Sequence, residues 1–325
     1  LVGTDDLIPK APIFITIITF CNRLSNPTII FASKKTIMKI QYASDLHLEF
    51  AENWRFLRAN PLQVTGDILV LAGDIGYLGD QNYQVHPFWD WTSENYQQVL
   101  VVPGNHEFYK FYDLSKMKDG TVSEIRKNVH WYYNEVVNIG DVDFILSTLW
   151  SHVDDENAPF CERCVTDFRR IMYGEEVLTH KEFNREHEKC LNFIKDAVAN
   201  SKARVKIVVT HHVPSYQLCA PEFEGSSLNG AFTVELEDFI KDSSIDYWIY
   251  GHSHRNINKT IGKTQCLSNQ LGYVFANEHH TFDAEAIITT YMTKEEALAY
   301  VTDLFNREAD TIDSKYKQQQ EKIWK

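Results

Sequence analysis

The chain has 325 residues, 44% of them hydrophobic, which is enough to bury a large core around one catalytic domain. Acidic residues outnumber basic ones 45 to 32, for a formal net charge of -13. Proteins that bind long nucleic acids gain affinity by neutralising phosphates with Lys and Arg, and no basic run here is long enough, so a DNA or RNA polymer is not the expected partner.

Residues 1–37 differ in character from the rest of the chain. The apolar run over 13–20 is too short to span a bilayer, and Asp5 and Asp6 stand where an export signal needs positive charge. The segment reads as an N-terminal extension of unclear role, with Met38 opening the first strand in the manner of a natural start. No membrane partner is expected.

Five apolar runs come next, over 38–42, 68–71, 99–102, 205–209 and 247–250. Each is short and rich in Val, Ile, Leu or Tyr, as a strand buried on both faces is. A polar cluster closes each run. In chain order these are Asp45-Leu46-His47, Gly73-Asp74, Gly104-Asn105-His106-Glu107, His211-His212 and Gly251-His252-Ser253-His254. Helical patterns over 86–98 and 179–200 lie between them, and alternating strand and helix signals point to α/β layers. Ligand groups in such sheets collect outside the carboxyl ends of the strands, so clusters far apart in sequence can converge.

Carboxylates, an amide oxygen and imidazoles suit divalent first-row ions, and no cysteine sits in any cluster. Two ions about 3.5–4 Å apart can share a hydroxide and clamp a phosphoryl group. Such a pair needs a bridging carboxylate, and Asp74, at the end of the 68–71 run, is the natural candidate. The expected cofactors are two divalent ions, with Mn, Fe or Zn favoured.

These clusters, in this order, resemble the calcineurin-like metallophosphoesterases, whose pattern runs Asp-x-His, Gly-Asp, Gly-Asn-His-Asp/Glu, His and Gly-His-x-His. The match covers roughly 38–288, taken as the catalytic domain. The resemblance implies a four-layer α/β/β/α sandwich of two mixed sheets flanked by helices, with a dinuclear metal site at the strand ends. It also implies that Asp45, His47, Asp74 and His254 hold one ion and Asp74, Asn105, His211 and His252 the other. His106 matches the histidine that the family uses near the leaving group, and His212 becomes a pocket residue or a support behind the ligands. The segments Ser147-Thr148-Leu149-Trp150, Asp167-Phe168-Arg169-Arg170-Ile171 and Asn269-Gln270-Leu271-Gly272-Tyr273 further resemble a bacterial branch of uncharacterised phosphoesterases in this family.

Protein Ser/Thr phosphatases of this family carry Gly-Asp-x-x-Asp-Arg-Gly and an Arg before Gly-Asn-His-Glu. Here the first stretch reads Gly73-Asp74-Ile75-Gly76-Tyr77-Leu78-Gly79, and Pro103 precedes Gly104. The aspartate that would pair with the leaving-group histidine is missing, as are two phosphate-gripping arginines. The expected activity is therefore hydrolysis of a phosphodiester or phosphomonoester of a small molecule or nucleotide, by attack of a metal-bridging hydroxide. His106 would assist the leaving group, and Glu107 would either orient His106 or a ligand imidazole or be a solvated loop carboxylate. A phosphoprotein phosphatase and a catalytically silent scaffold are the alternatives.

The stretch between His106 and His211 reads as an insertion that sets substrate choice. It contains Phe108, Tyr109, Trp131 and Trp150, of which Phe108 and Tyr109, close to His106, are candidates for lining a pocket that stacks on a base or aryl group. Arg169 and Arg170 are candidates for gripping a phosphate by forked hydrogen bonds. An ion pair of Asp167 with one of them is the competing reading.

Six cysteines occur without disulfide-framework spacing, and Cys161-Glu162-Arg163-Cys164 lacks the second pair that a zinc ribbon needs. Reduced thiols in a cytoplasmic protein are expected. Beyond 288, Ala297, Leu298, Val301, Leu304 and Phe305 recur at helical spacing before a polar tail, so 289–325 reads as an amphipathic helical extension.

Overall fold

A computed structural model of the chain describes residues 36–292 and Thr302. The expected N-terminal extension and C-terminal amphipathic helix lie, but for these few positions, outside the described residues. The strands are β1 (Thr36–Ala43), β2 (Ile68–Ala72), β3 (Gln98–Val102), β4 (Thr121–Arg126), β5 (Val129–Tyr133), β6 (Glu135–Ile139) and β7 (Val142–Leu146). They continue with β8 (Met172–Tyr173), β9 (Glu176–Val177), β10 (Val205–Val209), β11 (Tyr247–Tyr250), β12 (Lys259–Ile261), β13 (Thr264–Ser268) and β14 (Ile287–Met292). The helices are α1 (Ala51–Ala59), α2 (Gln81–Val85), α3 (Pro87–Asn95), α4 (Ala158–Cys164), α5 (Asp167–Arg170), α6 (His180–Asn200) and α7 (Glu237–Asp242).

Local chemistry sets where the two expected helices begin. His86 caps α3 by accepting from the Phe88 amide, and Pro87 fills the first helical position, where no donor is needed. Thr179 caps α6 by accepting from the Lys181 amide.

Two six-stranded mixed sheets form the body, in the orders β14-β1-β2-β3-β5-β4 and β12-β13-β11-β10-β7-β6. In the first, β1, β2, β3 and β5 run parallel and β4 closes an antiparallel edge. In the second, β7, β10, β11 and β13 run parallel between antiparallel β6 and β12. The stretch between His106 and His211 is thus no insertion. It supplies β4 and β5 to one sheet and β6, β7 and β10 to the other, and carries the chain across.

Alternation along the strands divides the core. Leu69, Leu71, Val99, Val101 and Trp131 pack with Phe88 and Trp89 of α3 and Leu57 of α1. Val208, Trp248 and Tyr250 pack with Ile194 and Val198 of α6 and Ile240 of α7. The opposite faces (Ile40, Val70, Leu100 and Val102 on one sheet, Phe144, Ile207 and Val209 on the other) are fully buried as well. Faces that helices do not cover are therefore covered by each other, giving the four layers.

The expected domain boundary at 288 falls inside β14, and the compact unit runs from Ile37 to Thr290. Among the described residues, no helix is long and apolar enough to cross a membrane.

Candidate metal centre

Parallel register brings the clusters together. Ala43 pairs with Leu71 and Ala72 with Val102, so β1, β2 and β3 end side by side and present Asp45, Asp74 and Asn105 within three residues of those ends. On the other sheet β10 and β11 are parallel neighbours, and His211 and His252 follow their ends. The two edges meet: the His252 amide donates to both Asp45 oxygens, at 3.1 and 3.2 Å, and His211 Nδ1 lies 2.9 Å from the Ala72 carbonyl.

The chain turns sharply to do this. Asp45 (φ 55°), His47 (47°), Asp74 (57°), His252 (75°) and His254 (50°) all occupy the left-handed region. That conformation costs a non-glycine residue roughly 1 kcal/mol or more, and its concentration on side chains of one chemistry is the mark of a functional site.

Two sets of donor atoms that share Asp74 result, beside a third group formed by His47, Glu49 and His106. Asp45, His47, Asp74 and His254 converge, with His47 Nε2 3.0 Å from His254 Nε2 and His254 Nε2 3.4 Å from Asp45 Oδ1. Asp74, His211 and His252 form the second set, with His211 Nε2 3.1 Å from His252 Nδ1 and 3.0 Å from Asn105 Oδ1. Asp74 belongs to both: Oδ1 lies 3.3 Å from His211 Nε2 and Oδ2 lies 3.8 Å from His47 Nε2.

Electrostatics agree with this division. Burial pushes the Asp74 carboxyl up, but His211, His106 and His47 outweigh it and hold it well below the usual range. Burial opposes the charge on His211 and His254, yet Asp74 lifts the first to about 9, and Asp45 and Glu278 lift the second to about 10. Burial drives His252 down to about 3. Imidazole nitrogens facing one another at 3.0 and 3.1 Å, beside ionised carboxylates, form a donor set that divalent cations fit.

The outer nitrogens of the rings are also held. His254 Nδ1 meets Glu278 Oε2 at 2.6 Å, His211 Nδ1 meets the Ala72 carbonyl at 2.9 Å, and His47 Nδ1 meets Glu49 Oε1 at 3.0 Å. Such partners fix the tautomer that leaves the other nitrogen free to bind metal.

His106 stands at the edge of the site. Its Nε2 is 4.0 Å from Asp74 Oδ2 and 3.2 Å from the Tyr273 hydroxyl, and its Nδ1 is 2.8 Å from Glu49 Oε1. Glu107 does not orient His106 or any ligand ring. It is fully buried and accepts from four backbone amides, those of Asp74, Ile75, Gly76 and Gly104. Burial and the nearby Asp74 push its pKa up to about 8 against the pull of these amides.

The remaining candidates separate. Phe108 is buried against Trp150, Tyr133 and Tyr112, too deep to line a pocket. Tyr109 packs 4.3 Å from the His106 ring, but its hydroxyl donates to Asp167 Oδ1. Asp167 takes that bond and one from Asn105 at 2.8 Å in place of an arginine. Arg170 lies over the Tyr109 ring at 5.3 Å, whereas Arg169 turns back to the Arg163 carbonyl. His212 is fully buried behind His252, ring centroids 4.3 Å apart, so it supports the ligands from within and lines no open pocket.

Sequence reading missed Glu49, Glu278 and the role of Tyr273. Glu49 had a signal, since it stands two residues after His47. Glu278 had none, being a lone acid in a polar loop.

The chain is 26% identical over 276 residues to an uncharacterised protein, L509, of Acanthamoeba polyphaga mimivirus, covering 77% of this chain and 95% of the relative. Its fold resembles that of phosphopantetheinyl hydrolase from Mycobacterium tuberculosis, with a TM-score of 0.57, 17% identity, and coverage of 78% of this chain and 95% of that one. A dimetal phosphatase from Danio rerio aligns with a TM-score of 0.43, 13% identity, and coverage of 79% and 93%. The calcineurin-like phosphoesterase profile matches residues 38–256, the span that carries all five clusters, and the chain belongs to that family.

Proposed function

We propose that the protein is a dinuclear metal-dependent phosphoesterase acting on a phosphodiester or phosphomonoester of a small molecule or nucleotide. The observation that carries this reading is Asp74, one carboxylate whose two oxygens face two separate sets of imidazoles. Asp45, His47, Asp74 and His254 would hold one ion, and Asp74, Asn105, His211 and His252 the other, with Mn, Fe or Zn suited to the donors. Such ions, when bound, lower the pKa of water and neutralise phosphoryl oxygens.

The chain's own residues supply the rest. Asp45 and Asp74 remain ionised at neutral pH and so stay available as ligands. Burial lowers the pKa of His106, but Asp74 and Glu49 raise it more, which favours a proton on the ring that can pass to a departing alkoxide. Arg170, over the Tyr109 ring, would be the arginine that meets a substrate phosphate, since Arg169 is engaged elsewhere. Tyr77 and Pro103, where protein phosphatases carry an acid and an arginine, support a small ester over a phosphoprotein. The free thiols of Cys161, Cys164, Cys190, Cys219 and Cys266 support a cytoplasmic setting.

The test is turnover of bis(p-nitrophenyl) phosphate against p-nitrophenyl phosphate by chelator-stripped protein with Mn²⁺ restored. Metal-dependent cleavage is expected, and preference for the diester would direct the substrate search to nucleotides. No turnover of either ester with two metals bound would leave the silent scaffold as the better reading.

A further inference from the structure

His106 lacks the aspartate found in protein phosphatases, because Tyr77 occupies that position. A carboxylate nevertheless reaches its ring from another loop. Glu49 follows β1 and the Asp45-Leu46-His47 turn, and its side chain is 6% exposed. One oxygen, Oε1, meets Nδ1 of His106 at 2.8 Å and Nδ1 of His47 at 3.0 Å. The other, Oε2, is buried without a hydrogen-bond partner.

A carboxylate oxygen only accepts, so both rings must donate to it from Nδ1. The proton on Nδ1 leaves His47 Nε2 with its lone pair directed at the Asp45, Asp74 and His254 set. It likewise turns His106 Nε2 toward Asp74 Oδ2 and the Tyr273 hydroxyl. The two rings meet edge to face with centroids 4.5 Å apart, so neither can rotate without disturbing the other.

We infer that Glu49 is the positioning residue of the leaving-group histidine, and that it couples that histidine to the metal ligand His47 through a single oxygen. The inference rests on the phosphoesterase reading for the role of His106, but not for the tautomer. Glu49 touches neither substrate nor reacting atoms; it acts through the two rings.

Two measurements test this. The first is a long-range ¹H–¹⁵N spectrum of the histidines in zinc-loaded protein, with the His106 signals located by their loss in His106→Ala. We expect both His106 and His47 to be protonated at Nδ1, and the two tautomers to mix in Glu49→Ala. A His106 ring protonated at Nε2 alone in the unaltered protein would overturn the inference.

The second is kcat and KM for Glu49→Gln, with and without His106→Ala, on phosphodiesters of good and poor leaving groups. With His106 present, kcat on the poor leaving group should fall about 10–100-fold, the usual cost of losing an outer partner. KM should change little. In the His106→Ala background most of that leaving-group bias should vanish. An equal loss in both backgrounds would mean that Glu49 serves only His47, against the coupling. A protein with the Nδ1 tautomer in place, lost in Glu49→Ala, but with no turnover would overturn the phosphoesterase reading and uphold the positioning one.

Discussion

Gly104 and Asp74 are in contact so close that a Cβ added to Gly104 would lie 2.2 Å from Asp74 Oδ1 and 2.7 Å from the Asp74 amide. The glycine of Gly-Asn-His-Glu is therefore a spatial requirement of the carboxylate shared by the two donor sets. Gly104→Ala must push Asp74 or the Asn105 loop aside. We expect loss of at least one metal per chain and about 10-fold or more of the activity, since ligand geometry tolerates shifts of only about 0.5 Å. Metal content after dialysis checks this, and a variant that keeps two metals and full turnover would show that the loop yields freely.

His106 sits beside the two donor sets that share Asp74 and belongs to neither. His106→Ala should therefore retain both metals while losing about 10²–10⁴-fold on esters with poor leaving groups. Activated aryl esters, whose leaving groups need little protonation, should lose much less. Equal losses on both classes would remove the acid role.

Glu107 ties two loops by accepting four amides. Glu107→Ala leaves those amides unpaired in a buried place, at about 1–3 kcal/mol for each that water cannot reach. A loss of at least about 3 kcal/mol in urea unfolding is expected, with a smaller loss for Glu107→Gln, which keeps one acceptor oxygen. An alanine variant within about 1 kcal/mol of the parent would contradict the bracing role.

His212 is buried with both ring nitrogens unpartnered, and burial, with His252 and His211 beside it, drives its pKa well below the ordinary value. The unfolded chain takes a proton near about pH 6.5 and the folded one does not, so stability from this group is complete above that pH and is lost as pH falls below it. The slope is at most about 1.4 kcal/mol per pH unit. His212→Phe keeps a ring and removes the proton site, so its stability should lie within about 1 kcal/mol of the parent at pH 7.5 and gain on it at pH 5.5 in chelator-treated protein. A stability difference between variant and parent that is the same at both pH values would refute the assignment.

Much of this was legible in the sequence because strand burial and ligand chemistry are local signals. The apolar runs at 205–209 and 247–250 coincide with β10 and β11, and 179–200 differs from α6 only by the capping Thr179. The partners of the rings were not legible. Tyr273 reaches His106 across 167 positions, and Glu278 reaches His254 across 24. A single polar residue in a loop carries no period and no neighbour of like kind, so nothing in its local sequence distinguishes it from a solvated one. Glu107 was misread for the reverse reason. Its place in a motif suggested chemistry, while four amides on neighbouring turns had claimed its oxygens.

Neither donor set belongs to one sheet. The first takes Asp45, His47 and Asp74 from loops after β1 and β2 but His254 from beyond β11; the second joins Asp74 and Asn105 to His211 and His252. An ion in either place is a suture across the two halves of the sandwich, with stitches in both. Ligation and closure of the sheets would then be one event drawing on one free energy. The left-handed turns would be held by the same thread, so a chain that loses its ions should come apart first along this seam.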